Sequence, residues 1–274
     1  MLKLTDLMLI AALMTSMAAP AMAILHRDEP FDYPAGTNLD EQPNWNVPAV
    51  NTVVAGSLEY PGLLSTGNKI QIITRNVSTS PMSAAERAMV AEGTTTYVTF
   101  LGRDNHNVAI GGPNFIQFIV DPGSSGRLRL QSQSADTSPE DYEQSHFTTT
   151  LHQGNTIMWA ARIMGLPGDD RIDVVINPDL SAGEPDWDNP DMQNTTVELN
   201  DMLLGPDLKV GSFSSCGRPG ANPCADGNPN PFGQVDEIRI GTTWADVSPV
   251  PEPASLALLA LGGMAMMRRR HQAM

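Results

Sequence analysis

The chain has 274 residues, 41% of them apolar, with 23 Gly, 22 Pro and few aromatics, and 31 acidic against 16 basic side chains give it a formal charge of −15. That balance excludes a nucleic-acid binder, which needs clustered Lys and Arg against phosphate, and the apolar content is too high for a disordered chain. The length suits one domain with a sizeable core, and Gly and Pro spread without a period fit a turn-rich all-β protein.

Residues 1–23 carry Lys3, a short apolar run from Leu7 to Met14, and a small-x-small ending at Ala21-Met22-Ala23. This is the pattern that signal peptidase reads, and the run is too short for a permanent membrane helix. The segment is expected to be a signal peptide, with cleavage after Ala23 and a mature start near Ile24.

From residue 50 onward, short apolar or alternating runs recur between turn signals. Lys69–Ile73 follows Gly67-Asn68, and Thr95–Leu101 stops before Arg103-Asp104-Asn105. Phe115–Val120 ends in Asp-Pro-Gly, and Arg127-Leu-Arg-Leu-Gln131 alternates cleanly. Ile157–Met164, Ile172–Ile176, Thr195–Leu199, Leu208–Phe213 and Val235–Ile240 complete the predicted strands. Strands this short and this evenly spaced predict a sandwich or jelly roll over residues 24–249. One helical signal interrupts them: Ser83-Ala-Ala-Glu86 is a capping box opening an Ala-rich stretch to about Glu92.

The body also resembles laminin-G/concanavalin A-like sandwich proteins. Phe31-Asp-Tyr-Pro-Ala-Gly36 and Leu58-Glu-Tyr-Pro-Gly-Leu63 are similar to their opening segments, and Arg162–Pro178 to their strand, Gly/Asp turn and strand ending in Asn-Pro. Asp236-Glu-Ile-Arg-Ile-Gly-Thr-Thr-Trp-Ala-Asp-Val247 is similar to their closing strand. The resemblance implies that the first and last strands lie side by side, with the termini close together. It leaves function open, since the fold hosts lectins, hydrolases and inert structural domains.

Few residues then present themselves for chemistry. A glycosidase needs two carboxylates about 5 Å apart if retaining. The nearest acids, Glu184, Asp186 and Asp188, sit among Pro185 and Asn189-Pro190 in a loop. Trp187 between them is a possible sugar-stacking ring, or else a loop anchor. Asp226, Asn228, Asn230 and Glu237 stand at positions 1, 3, 5 and 12 of a calcium loop, but Pro231 takes the position that needs Gly. A calcium ion held by Asp226, Asn228 and Asn230, or near Asp169-Asp170, is therefore weighed against ordinary solvated loops. Cys216 and Cys224 flank a Gly/Pro loop without histidine nearby and are expected to form one disulfide in an oxidising compartment. His26, His106, His146 and His152 make no metal pair: on one strand, His146 and His152 would stand about 20 Å apart. His146 and His152 are expected at the surface. There is no Gly-x-Ser-x-Gly and no phosphate-cradling glycine loop before a helix.

The chain closes with Val250-Pro251-Glu252-Pro253, an apolar stretch from Ala254 to Met267, and Arg268-Arg269-Arg270. Fourteen helical residues rise about 21 Å, short of a hydrocarbon core of about 30 Å, so this reads as a marginal membrane helix with a cytoplasmic basic stop. In order and spacing the segment 250–274 resembles the PEP-CTERM sorting signal of exopolysaccharide-producing bacteria. That implies an exosortase-type membrane protease as partner, at least transient membrane anchoring, and delivery to the cell surface or matrix of a Gram-negative-type bacterium. Without both end segments the body keeps 12 basic and 29 acidic residues. The expectation is an exported, non-enzymatic jelly roll that binds or organises extracellular polysaccharide, calcium being the one cofactor to test. The alternatives are a carbohydrate-active hydrolase and a purely structural envelope protein.

Overall fold

The computed structural model describes residues 24–46, 51–72, 77–104, 106–111, 115–121, 127–133, 143–148, 154–197, 199, 207–211 and 233–248. The strands are β1 Leu25–Glu29, β2 Thr52–Val54, β3 Lys69–Gln71, β4 Ser78–Pro81, β5 Thr95–Arg103, β6 Asn107–Gly111 and β7 Phe115–Asp121. They continue with β8 Arg127–Gln133, β9 Glu143–Thr148, β10 Thr156–Met164, β11 Asp170–Ile176, β12 Met192–Val197, β13 Asp207–Gly211 and β14 Gln234–Gly241. Among the described residues these form two antiparallel sheets. The eight-stranded one runs β12-β11-β10-β5-β14-β3-β2 with β1 also on β14, and the six-stranded one runs β4-β13-β6-β7-β8-β9.

Period-two alternation decides which side chains enter the sandwich. In β8, Leu128 and Leu130 point inward while Arg127, Arg129 and Gln131 do not. Ile116, Phe118 and Val120 do the same in β7, and Ile157, Trp159, Ala161 and Ile163 in β10. The core centres on aromatics from both sheets: Phe100 stacks on Trp159 at 5.6 Å between centroids and meets Phe118 at 5.5 Å. His106 belongs to this core and not to the surface. Its ring is fully buried, Trp159 Nε1 donates to Nε2 at 2.9 Å, and Nδ1 lies 2.9 Å from the Asp104 carbonyl. Both bonds are satisfied together by the tautomer with its hydrogen on Nδ1.

The first and last strands do pair, as the resemblance implied. β1 runs antiparallel to β14 with Leu25 opposite Gly241 and Glu29 opposite Ile238. Between Asp236 and Arg239 the register against β5 slips by one residue. The slip is a β-bulge with Glu237 at φ 52°, a left-handed conformation that costs energy for a non-glycine residue. The bulge lets Asp236 and Arg239 both leave the core side. Asp236 accepts from Leu58 N, Glu237 accepts from Thr66 N and from Arg239, and Arg239 donates to the Leu64 carbonyl. Together they staple the loop over residues 57–66 onto the sheet.

The capping box forms as predicted: Glu86 N donates to Ser83 Oγ at 3.2 Å and Ser83 N to Glu86 Oε2 at 2.6 Å. The α-helix is shorter than the Ala-rich run suggested, covering Ala84–Arg87 before a 3-10 turn at Ala88–Val90. The turn stops where Gly93 N and the Thr94 carbonyl bond to Gly165 in the β10–β11 connection.

Candidate functional site

The two outer faces of the sandwich differ, and that difference locates the site. The outer face of the eight-stranded sheet is sealed. Leu58, Leu180, Trp187, Trp244 and Val247, from the 57–66 and 178–190 loops and the helix Trp244–Val247, pack on Leu101, Met158 and Ala160 as a second core. Trp187 is 5% exposed, lies 6.0 Å from both Tyr97 and Trp244, and has the Arg162 guanidinium over its ring at 5.3 Å. Of the two roles open to it in the sequence it fills the loop anchor, since it turns no ring face to solvent.

The acids of that loop are engaged in the same way. Glu184 Oε1 accepts from Tyr97 Oη and Trp187 Nε1, both at 2.9 Å, and burial together with that carboxylate pushes the Tyr97 hydroxyl up to about 12. Asp186 caps its own turn through Asp188 N and Asn189 Nδ2, and these bonds hold its carboxyl below the usual range. Asp170 accepts from Leu166 N and Leu199 N. Asp173 is fully buried beneath Arg162 (2.7 Å), Arg171 (2.8 Å) and Gln193 (2.7 Å). The buried Asp236, pushed up to about 8 by loss of solvent, lies under the Leu58 segment and accepts from Leu58 N. These carboxylates hold loops.

A pocket of about 300 Å³ opens where β1 passes β4, lined by Arg27, Asp28, Glu29, Asn44, Ser80 and Glu86 among others. Its charges are already used. Arg27 pairs with Glu86 and donates to Ser80 Oγ and the Pro81 carbonyl, while Glu29 accepts from Phe31 N, Tyr33 Oη and Trp45 Nε1.

The outer face of the six-stranded sheet is different in kind. Cross-strand register lines its outward residues into rows. One row runs Thr79–Lys209–Ala109–Gln117–Gln131–Gln144, and the next Gly211–Asn107–Ile119–Arg129–His146. Phe115 and Gln133 lie opposite each other towards one end. The middle of the face is buried, with Ile119 0%, Asn107 3%, and Ala109 and Gln117 each 6% exposed, whereas Lys209, Arg129, Gln131 and Gln144 are partly exposed and His146 is exposed. Arg129 Nη1 reaches Gln144 Oε1 at 3.4 Å. Two polar atoms here are buried without a hydrogen-bond partner, Asn107 Oδ1 and Arg129 Nε. Amides, a guanidinium and an ammonium make up the donor and acceptor set with which proteins hold hydroxylated ligands.

None of the sequence-derived metal or disulfide residues belongs to this face as described. Asp226, Asn228, Asn230, Cys216 and Cys224 lie outside the described residues, as do the signal segment with Ala21 and Ala23 and the tail with Pro251, Glu252, Pro253 and Arg268–Arg270. Among the described residues no three His, Cys, Asp or Glu side chains converge as a metal site, and no helix is long and apolar enough to cross a membrane. Sequence reasoning missed the amide rows. Their one signal was the polar half of the Arg127–Gln131 alternation.

Comparison with solved structures gives the fold. The chain is similar to the endo-1,3-β-glucanase of Streptomyces sioyaensis, with 11% identity, 82% of this chain and 98% of that one covered, and a TM-score of 0.50. It is also similar to an endo-β-1,4-glucuronan lyase from the fungus Trichoderma reesei (14%, 78% and 97%, TM-score 0.48) and to the botulinum neurotoxin serotype D binding domain (9%, 74% and 45%, TM-score 0.42). No curated protein sequence matches the chain. At its C-terminal end, residues 249–270 match the PEP-CTERM protein-sorting motif, which marks this jelly roll as an exported, exosortase-sorted chain.

Proposed function

We propose that this exported sandwich binds or organises extracellular polysaccharide at the outer face of its six-stranded sheet, without covalent chemistry. The observation that carries the reading is the cross-strand row Thr79–Lys209–Ala109–Gln117–Gln131–Gln144, whose partly exposed ammonium and amides offer the donors and acceptors that a sugar chain repeats along its length. Strands 4.7–4.9 Å apart set those groups at about the rise of one pyranose unit, so an extended glycan crossing the strands meets one row position per sugar. The non-catalytic part rests on carboxylates of the described residues: Glu184, Asp173 and Asp236 are bonded into the loops of the opposite face, and Asp170 is buried against the Leu166 and Leu199 N–H groups. The sorting motif supports a ligand found outside the cell, and the jelly-roll relatives include enzymes named for polysaccharides.

The test is co-sedimentation of the purified full chain with extracellular polysaccharide from a matrix-producing bacterium, in calcium and then in EDTA, with reducing ends and unsaturated sugar products followed in parallel. Binding without product formation is expected. Product formation lost on substitution of a Glu or Asp would replace this reading with the hydrolase alternative. Absence of binding in both media would leave a structural envelope protein.

A further inference from the structure

We infer that the polysaccharide held by this face carries carboxylate groups, a uronate-containing chain, and that Arg129 and Lys209 are its counter-charges; the inference rests on the binding reading above. An acidic body of 12 basic and 29 acidic residues repels anionic polymers as a whole. Its few cations are not spent evenly. Arg27, Arg162, Arg171 and Arg239 each pair with a carboxylate, and Lys69 Nζ donates to the Ala55 and Gly56 carbonyls. Arg87, Arg103, Arg127, Arg129 and Lys209 have no carboxylate partner among the described residues, and three of these five, Arg127, Arg129 and Lys209, project from the outer face of the six-stranded sheet.

Their surroundings sharpen the point. Lys209 stands in a row of Thr79, Ala109, Gln117, Gln131 and Gln144, all uncharged. Arg129 has Gln144 Oε1 as its one neutral acceptor, and its Nε is buried and unpartnered. Among the described residues Asp207, two residues from Lys209 at the start of its strand, is the acid nearest to Lys209 along this face. A neutral glycan would bond the amides of Gln131 and Gln144 through its hydroxyls yet leave the guanidinium and the ammonium without a counter-charge. A uronate supplies both, because its hydroxyls donate and its carboxylate accepts, and a charge-assisted bond is about twice as strong as a neutral one. Arg129 lies two strands from Asn107, roughly 10 Å, and three strands and one row from Lys209, so the two cations meet different sugars of one chain.

The experiment uses the full chain and immobilised polygalacturonate, the same polymer methyl-esterified, and dextran sulfate. Arg129→Gln, Lys209→Gln and, as a charge control away from the face, Lys69→Gln are compared with wild type, each checked for an unchanged melting temperature. Wild type and K69Q should be retained by polygalacturonate, and R129Q and K209Q should each bind about tenfold more weakly, a loss of one charge-assisted contact. Esterification should abolish the preference. Equal retention on the esterified polymer overturns the inference and leaves the polysaccharide reading standing. Equal loss in K69Q, or tighter retention on dextran sulfate with no effect of R129Q, shows general ion exchange and also overturns it. Retention on none of the polymers, nor on bacterial matrix polysaccharide, removes the binding reading itself.

Discussion

Replacing Asp173 by Asn tests whether the sealed face is held by its buried charges. Asp173 is fully buried and takes Arg162 Nη2 at 2.7 Å, Arg171 Nε at 2.8 Å and Gln193 Nε2 at 2.7 Å. Asn fills the same volume and keeps one acceptor oxygen, but two guanidiniums lose their counter-ion and the new amide hydrogens face donors. Removing one partner of a buried ion pair costs about 3–5 kcal/mol. Because the Arg162 and Arg171 side chains are 18% and 31% exposed, water recovers part of this, and about 3 kcal/mol is the working figure. For a domain of this size that lowers the melting temperature by about 6–12 °C. The effect should reach Trp187, whose carbonyl accepts from Arg162 and Arg171 and whose ring lies under Arg162. Intrinsic fluorescence of D173N should shift to the red at temperatures well below the melt. Urea titration should show a lower midpoint with an unchanged slope, the sign of lost stability without a change in the surface exposed. A melt within about 2 °C of wild type, with unchanged emission, would refute the assignment of Asp173 as the residue that holds this face.

Two further perturbations follow from the same packing. Burial pushes the Asp236 carboxyl up to about 8, with the Glu237 charge adding to it against the Leu58 N–H, while in the unfolded chain it ionises near 4. The folded state therefore holds the extra proton in between, so this group's stabilising contribution is complete below about pH 4 and is lost as pH rises through about 8. Melting temperatures across that window should fall with pH in wild type and fall less in D236N, and identical profiles would contradict the assignment. Gly165→Ala would place its Cβ 2.1 Å from the Ala91 carbonyl oxygen and 2.7 Å from that of Val90, backbone atoms that cannot yield cheaply. With the Gly165–Gly93 and Gly165–Thr94 bonds at stake, a loss of about 1–3 kcal/mol is expected in denaturant unfolding, and an unchanged midpoint would show that the connection is free to move.

The sequence was most legible where alternation was strong. Arg127–Gln131, Phe115–Val120 and Val235–Ile240 were placed within a residue or two, because each buries a regular apolar half and ends at a turn residue. The strands it did not reveal violate that pattern for physical reasons. β9 is an edge strand of Glu-Gln-Ser-His-Phe-Thr, and β4 is Ser-Thr-Ser-Pro with serines turned inward. β1 sends Arg27 and Glu29 towards partners at Glu86, Tyr33 and Trp45, contacts between residues far apart in the chain. The burial of His106 was not legible because nothing nearby announces Trp159, fifty-three positions away, as its donor. The amide rows were hidden for a related reason. Lys209 comes from a strand far in sequence from those of Ala109 and Gln117, and only the register sets the three in one row.

The position of β14 has a consequence for how such a chain can be exported. This last strand is the keystone of the larger sheet, inserted between β5 on one edge and β1 and β3 on the other. Until Gln234–Gly241 has left the translocation channel, β5 and β1 have no common neighbour, and contacts of such long sequence separation are slow to form. The larger sheet therefore closes only after nearly all of the chain up to Gly241 has been delivered, whatever the order in which the smaller sheet assembles.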